Sequence, residues 1–431
     1  MTAAKKTKRA DRPTHKPLGP IPAGFDTIDG ELAIGGKTAS ALVAEAEARG
    51  ARTPLFVYSK AQLDNRIAEL RRTMPARLGI NYAVKANPYA PVLKHMAPLV
   101  DGFDIASAGE LAMVEAAGLD PARVSFAGPG KRDDELEAAV RAGVTFNCES
   151  EGEARRTFAI AERIGVTPKM AIRVNPEFEL RGSGMKMGGG AKPFGLDTDR
   201  VPALAKEIIA AGAEYRGLHI FTGSQALDSE ALIETQGNVL ELADKLSGEI
   251  GINCPKLNMG GGFGIPYFSG DEPIDLERIG EALEQRFASL PDSLNETQLC
   301  IELGRFLVGQ SGVYLTKVID RKISHDAVYL ITDGGLHHQL AASGNFGTVV
   351  RRNYPVAVAN RFADQVGEGA NLEEVNVVGC LCTPLDRLAD KALMPQADVG
   401  DIIAVFCAGA YGASASPASF LGQGPAGEIL T

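Results

Sequence analysis

The stretch "INYAVKANPYAPVLKHM" (80–96) decides how the chain is read. An apolar run ends in Lys85 and passes through Asn-Pro into residues at helical spacing, the pattern of a strand handing over to a helix. An ammonium at the tip of a buried strand is costly to desolvate. Lys85 therefore either reaches out to water or supplies an amine for covalent chemistry. The same unit recurs along the chain. Strand-like segments follow at 102–107, 124–128, 145–150, 170–175, 217–223, 256–261 and 299–304. Between them lie amphipathic stretches such as "SEGEARRTFAIAERIG", several opening on Ser or Asp and closing on Gly. Parallel strands need crossovers of one hand, and eight of them close on themselves, so this alternation predicts a (β/α)8 barrel. A doubly wound open sheet is the rival arrangement.

Beyond residue 305 the pattern changes. "GVYLTKVIDRKI", "AVYLITDGG", "EEVNVVGCLC" and "DIIAVFCAGAYG" are strands without helices between them and predict an antiparallel β domain. The expected division is a barrel over 61–305 and a β domain over 306–431. Residues 26–60 partly join the second, and the basic, proline-rich start (1–25) is a disordered tail. With 431 residues, 45% hydrophobic and 23% charged, the chain has the composition of an ordinary globular protein. Its net charge of −10 argues against a nucleic-acid surface on the folded body. No apolar run reaches the ~20 residues of a membrane span, and the start lacks the apolar core of a secretory signal. The six cysteines show no metal spacing, and His337 and His338 have no carboxylates beside them, so no metal site is expected. A cytoplasmic protein with reduced thiols is the expected setting.

In such a barrel the chemistry gathers at the C-terminal ends of the strands. Those ends carry Lys85, Asp104, Ser107, Glu149, Arg173, His219, Phe221, Gly260, Gly261, Gly262, Glu302 and Arg305. "GGGFG" (260–264) offers backbone N–H groups to a phosphate, with neither the Walker nor the dinucleotide spacing. An amine able to form an imine, a phosphate loop, an acid at the end of strand eight and an arginine three residues later together describe a pyridoxal 5'-phosphate pocket. Glu302 would then face the pyridine nitrogen.

With those residues in place the sequence resembles the fold-type III pyridoxal-phosphate decarboxylases, which include diaminopimelate, ornithine and arginine decarboxylases. The likeness runs through 50–425, in "YAVKAN", "FDIASAGE", "GLHIFTGSQ", "GGGFG", "ELGR", "CLCTPLD" and "AGAYG" in order. It implies a TIM barrel of alanine-racemase type, with Lys85 as the Schiff-base residue and Glu302 at the pyridine nitrogen. It further implies Ser224 and Tyr411 near the phosphate, and Arg305 at the phosphate or the substrate carboxylate. Cys382 would be the catalytic cysteine, reaching the site across the interface of a homodimer with shared active sites. Two departures matter. Phe221 stands where the family has a second histidine, and Thr383 stands where an acid would meet a substrate's distal amine. A distal ammonium would be left poorly paired. The stretches 183–195 and 333–361 are most similar to a subgroup that includes exosortase-associated decarboxylases and a butirosin-pathway enzyme acting on carrier-tethered glutamyl groups. There Arg351 and Arg352 are candidates for a substrate carboxylate or a carrier's phosphopantetheine. The expected activity is α-decarboxylation of an amino acid, free, dicarboxylic or carrier-bound, with a racemase of the alanine racemase type as the alternative.

Overall fold

The computed structural model describes residues 15–344, 351–367 and 371–431. Eight strands, Gly79–Ala83, Gly102–Ile105, Val124–Phe126, Thr145–Cys148, Lys169–Asn175, Glu214–Ile220, Lys256–Asn258 and Gln298–Leu303, run parallel in that order. The last pairs with the first, Leu303 against Tyr82, and the barrel closes. The helices between them start and stop where side-chain chemistry dictates. Ser107, Ser150, Asp228 and Asp275 each accept a backbone N–H at a helix start. Gly143, Gly165 and Gly251 end helices in the left-handed conformation, which costs a residue without Cβ nothing.

The second domain is built on the long strand Gly312–Ser324. Its first half lies between Leu55–Tyr58 and Ile402–Val405, and its second half pairs with Ala327–Thr332. The sheet is mixed, which corrects the antiparallel expectation. Ala327–Thr332 runs parallel to Leu372–Val378, and Leu55–Tyr58 runs parallel to Gly427–Leu430. The long connection between residues 332 and 372 gives the chain room to cross back, which a tight turn cannot do. Alternation along Leu55–Tyr58 serves two cores. Leu55 and Val57 pack with Leu32, Leu42 and Val43 of the N-terminal hairpin and helix, while Phe56 and Tyr58 face the main core.

Two junctions place the site. The β-domain segment around Tyr411 grips the turn that carries Lys85: Tyr411 N donates to Ala86 O at 2.8 Å, Ser414 Oγ to Lys85 O at 2.9 Å, and Asn87 Nδ2 to Gly409 O at 3.1 Å. The second junction corrects the expectation of a tail through residue 25. Residues 1–14 lie outside the described residues, but from Lys16 to Gly24 the chain is a packed strap across both domains, bonded to Lys391, Asn353 and Gln62. Among the described residues no helix is long and apolar enough to cross a membrane.

Candidate active site

Lys85 sits in a single 3-10 turn, Val84–Ala86, just past the end of the first barrel strand. It is exposed, reaching out to water as one of the two readings allowed: the strand stops at Ala83, and the extra turn lifts the side chain into the open mouth. Its Nζ lies 6.0 Å from the centre of the Phe221 ring. The cleft around it is also lined by Ser224, Glu302, Arg305 and Tyr411.

The glycine loop is shaped by its neighbours. Gly260 adopts φ +69°, and a Cβ on Gly261 would stand 2.0 Å from the Glu302 carbonyl oxygen, so neither position accepts a side chain. Asn258 ties this loop to the acid: its Oδ1 accepts from Gly260 N and its Nδ2 donates to Glu302 Oε2, both at 2.9 Å. Gln225 clasps the far end by donating to Ile265 O at 2.6 Å and accepting from Ile265 N at 3.2 Å. Among the described residues the amides of Gly261 and Gly262 have no acceptor.

Beneath the mouth the barrel interior is polar. Ser125 donates to Asp104 Oδ1 at 2.6 Å and Asn147 donates to Ser125 Oγ at 3.0 Å, while Asp104 Oδ2 is buried without a partner. Burial, and then the charge of Glu302, push the Asp104 carboxyl above its ordinary range. Burial acts on Glu302 in the same sense, but facing His219, Lys85 and Arg173 outweigh it and hold this carboxyl well below the usual range. His219 Nε2 lies 2.9 Å from Glu302 Oε2, and neither ring nitrogen has a hydrogen bond of good angle. Arg173 donates to Glu149 Oε1 at 2.9 Å and lies 5.1 Å from the Phe194 ring centre.

A second cavity of about 350 Å³ joins the first through Ser224, Gln225 and Arg305. Arg305 Nη1 donates to Tyr267 Oη at 2.8 Å, and its guanidinium lies 4.7 Å from the Tyr411 ring centre. The far wall is aromatic: the Tyr267 and Tyr354 rings lie 4.7 Å apart. The Arg352 guanidinium stacks 3.9 Å from the Phe268 ring centre and reaches Asp271 Oδ1 at 3.4 Å. The other oxygen of Asp271 accepts from the amides of Tyr267 and Phe268, each at 3.1 Å.

Not every expected residue joins the cleft. Ser107 caps a helix. Asp104 and Arg173 are buried, outside the lining of the Lys85 cleft. Arg351 donates to Leu385 O at 3.4 Å and does not line the second cavity. Cys382 is exposed, with half-buried Thr383 beside it, and neither lines the Lys85 cleft of its own chain. Part of the arginine-bearing stretch, 345–350, lies outside the described residues. Sequence reasoning missed Asn258, Gln225, Tyr267, Phe268, Asp271 and Tyr354. Of these, Asn258, Gln225 and Tyr354 had a signal, standing within or next to stretches singled out in the sequence.

The residues present fit pyridoxal phosphate. The loop has two free amides where a Cβ would not fit, a flat ring flanks the exposed amine, and a carboxylate held ionised stands at the end of strand eight. The family model described as "Pyridoxal-dependent decarboxylase, pyridoxal binding domain" matches residues 60–309. The chain is 35% identical to the L-glutamyl-[BtrI acyl-carrier protein] decarboxylase of Niallia circulans over 88% of both chains. It is 33% identical to the diaminopimelate decarboxylase of Neisseria meningitidis over 89% of this chain and 90% of that one. The crystal structure of Helicobacter pylori diaminopimelate decarboxylase complexed with L-lysine superposes with a TM-score of 0.78 at 25% identity, covering 90% of this chain and 94% of the other. The racemase alternative finds no support among these relatives. This chain belongs to the pyridoxal-dependent decarboxylases; its cofactor is pyridoxal 5'-phosphate and its reaction removes the α-carboxylate of an amino acid.

Proposed function

We propose that this decarboxylase acts on an amino acid whose far end is acidic or attached to a carrier protein, rather than on a free diamino acid. One observation carries the reading. The cavity beyond Arg305 ends at Arg352, and its single lining carboxylate among the described residues, Asp271, is already engaged by two backbone amides and by Arg352 itself. A distal ammonium there meets a cation and a spent carboxylate, while a distal carboxylate meets an available guanidinium. The substrate named for the Niallia circulans relative, a glutamyl group on an acyl-carrier protein, likewise carries no distal ammonium.

Bound pyridoxal phosphate supplies the electron sink for the pair left at the α-carbon when carbon dioxide departs. The rest falls to the chain. Lys85 would hold the cofactor's aldehyde, and Glu302, held ionised, would accept from its pyridine nitrogen. Phe221 would offer a flat apolar surface to the ring, with His219, Asp104 and Arg173 around Glu302 setting the local charge. The amides of Gly261 and Gly262, with Ser224 and Tyr411, would hold the phosphate. Arg305 and Arg352 orient the substrate. Cys382, exposed on its own chain, protonates the α-carbon in the site of a second copy, with Thr383 alongside, in a cytoplasmic homodimer. Carbon dioxide release from glutamate, aspartate, a carrier-bound glutamyl group, diaminopimelate and ornithine tests the substrate class. Turnover is expected from the acidic or carrier-bound members. Efficient turnover of diaminopimelate or ornithine alone would overturn it.

A further inference from the structure

The wall bearing Arg352 is made of two loops distant in sequence, and something must hold them together. Tyr267 and Phe268 come from the loop after barrel strand seven, whereas Arg352 and Tyr354 come from the β domain. Behind both runs the N-terminal strap, "HKPLGPIPAG" (15–24). Its three prolines stiffen the free segment and so lower the cost of ordering it. Lys16 is fixed at three atoms: its N donates to Lys391 O at 2.8 Å, its Nζ reaches Asp390 Oδ2 at 2.5 Å, and its carbonyl accepts from Asn353 Nδ2 at 3.3 Å. Gly19 N donates to Asn353 O at 3.1 Å. Buried Asn353 is the residue between Arg352 and Tyr354, and its side chain also bonds Asp390 O and Asp390 N, both at 2.9 Å. On the opposite side Gly19 lies against the Tyr267 backbone so closely that a Cβ would stand 1.9 Å from Tyr267 O.

We infer that the strap from Lys16 to Gly19 is a positioning element for substrate recognition: it clamps the Arg352–Tyr354 segment against the Tyr267 loop and so fixes the far wall of the cavity. Among the described residues no hydrogen bond or ion pair joins the strap to the Lys85 turn or the glycine loop, so its effect falls on the substrate's distal end and not on the reacting centre. This inference rests on the second cavity being the substrate's distal pocket.

The test uses full-length protein. In Gly19→Val the added carbons cannot coexist with Tyr267 O, so either the strap or the Tyr267 loop must move. Lys16→Glu sets a like charge against Asp390 and releases the same strap without a steric clash, so it serves if the valine variant does not fold. KM and kcat are measured on whichever substrate the wild-type enzyme turns over best, together with cofactor affinity of the apo-protein by fluorescence titration. KM is expected to rise roughly three- to tenfold, the scale of one or two lost hydrogen bonds, with kcat and cofactor affinity within twofold. A KM unchanged in a folded variant overturns the inference, as does a fall in kcat or cofactor affinity that matches any rise in KM. Failure of the acidic-substrate reading is a separate result, because it changes which substrate is chosen and not the ratio between variant and wild type.

Discussion

Replacing Arg352 with methionine isolates the charge at the end of the cavity. Methionine keeps an unbranched apolar stem over the Phe268 ring and removes the guanidinium. A hydrogen bond to a charged group contributes about 1.5–3 kcal/mol. The Arg352 side chain is 52% exposed, so water screens it and brings the contribution below that range, to about 1–1.4 kcal/mol. At ~1.4 kcal/mol per decade, KM for the acidic substrate should rise about five- to tenfold. The α-carboxylate and the cofactor do not touch this group, so kcat should hold within a factor of about two. Folding should barely notice: the Arg352–Asp271 pair is a surface pair contributing ~0.2–1 kcal/mol, and the stacked cation adds about 0.5–1 kcal/mol.

The assay is steady-state carbon dioxide release with the acidic substrate and with diaminopimelate side by side. The substitution should erode the preference for the acid, because the far wall loses its cation and Asp271 is freed of its partner. Arg352→Glu should carry the change further toward the diamine. If the methionine variant shows an unchanged KM for the acid, or equal losses on both substrates, the guanidinium does not read the distal group and the substrate argument fails.

Two other outcomes follow from the geometry. Lys85→Ala and Cys382→Ala should each be inactive alone, while mixing and re-associating them should recover about a quarter of wild-type activity, the share of intact sites in a random mixture of two-fold dimers; no recovery would mean that Cys382 does not serve a neighbour's site. His338 should make the fold acid-sensitive: burial depresses its imidazole to about 4, with Tyr314 Oη at 3.1 Å from Nδ1 and the Gly424 carbonyl at 2.9 Å from Nε2. A base with a lowered folded pKa binds fewer protons folded than unfolded, so its contribution is present at neutral pH and is lost as pH falls from the ordinary ~6.5 through about 4. Urea unfolding at pH 7 and pH 4 should show the gap between wild type and His338→Gln shrinking by roughly 2–3 kcal/mol at the acid end, and a gap independent of pH would refute it.

The catalytic half of the cleft was legible because it is local. Lys85, Gly260 to Gly262, Glu302 and Arg305 each sit at or just past the end of a barrel strand, and those strands announce themselves as apolar runs followed by capped helices. Other features had no local trace. The parallel pairing of Ala327–Thr332 with Leu372–Val378 depends on where a long connection lands, which periodicity does not encode. The strap from Lys16 to Gly24 read as a solvated tail because prolines carry neither a helical nor a strand period, and its neighbours Asn353 and Gln62 lie far along the chain. Which way Lys85 faces turns on two residues, because the strand ends at Ala83 and a single turn carries Lys85 past it into solvent.

This division has a physical consequence for substrate choice. The reacting end is carried on strand ends and their immediate turns, with the Lys85 turn held in addition by the β-domain segment around Tyr411. The distal end is fixed by long-range contacts among the strap, the Tyr267 loop and the Arg352–Tyr354 segment, and no single motif specifies it. On the proposed reading, a change at Arg352 alters which side chain is accepted and leaves the decarboxylation step intact, because that wall sets one guanidinium against one carboxylate already engaged by two backbone amides.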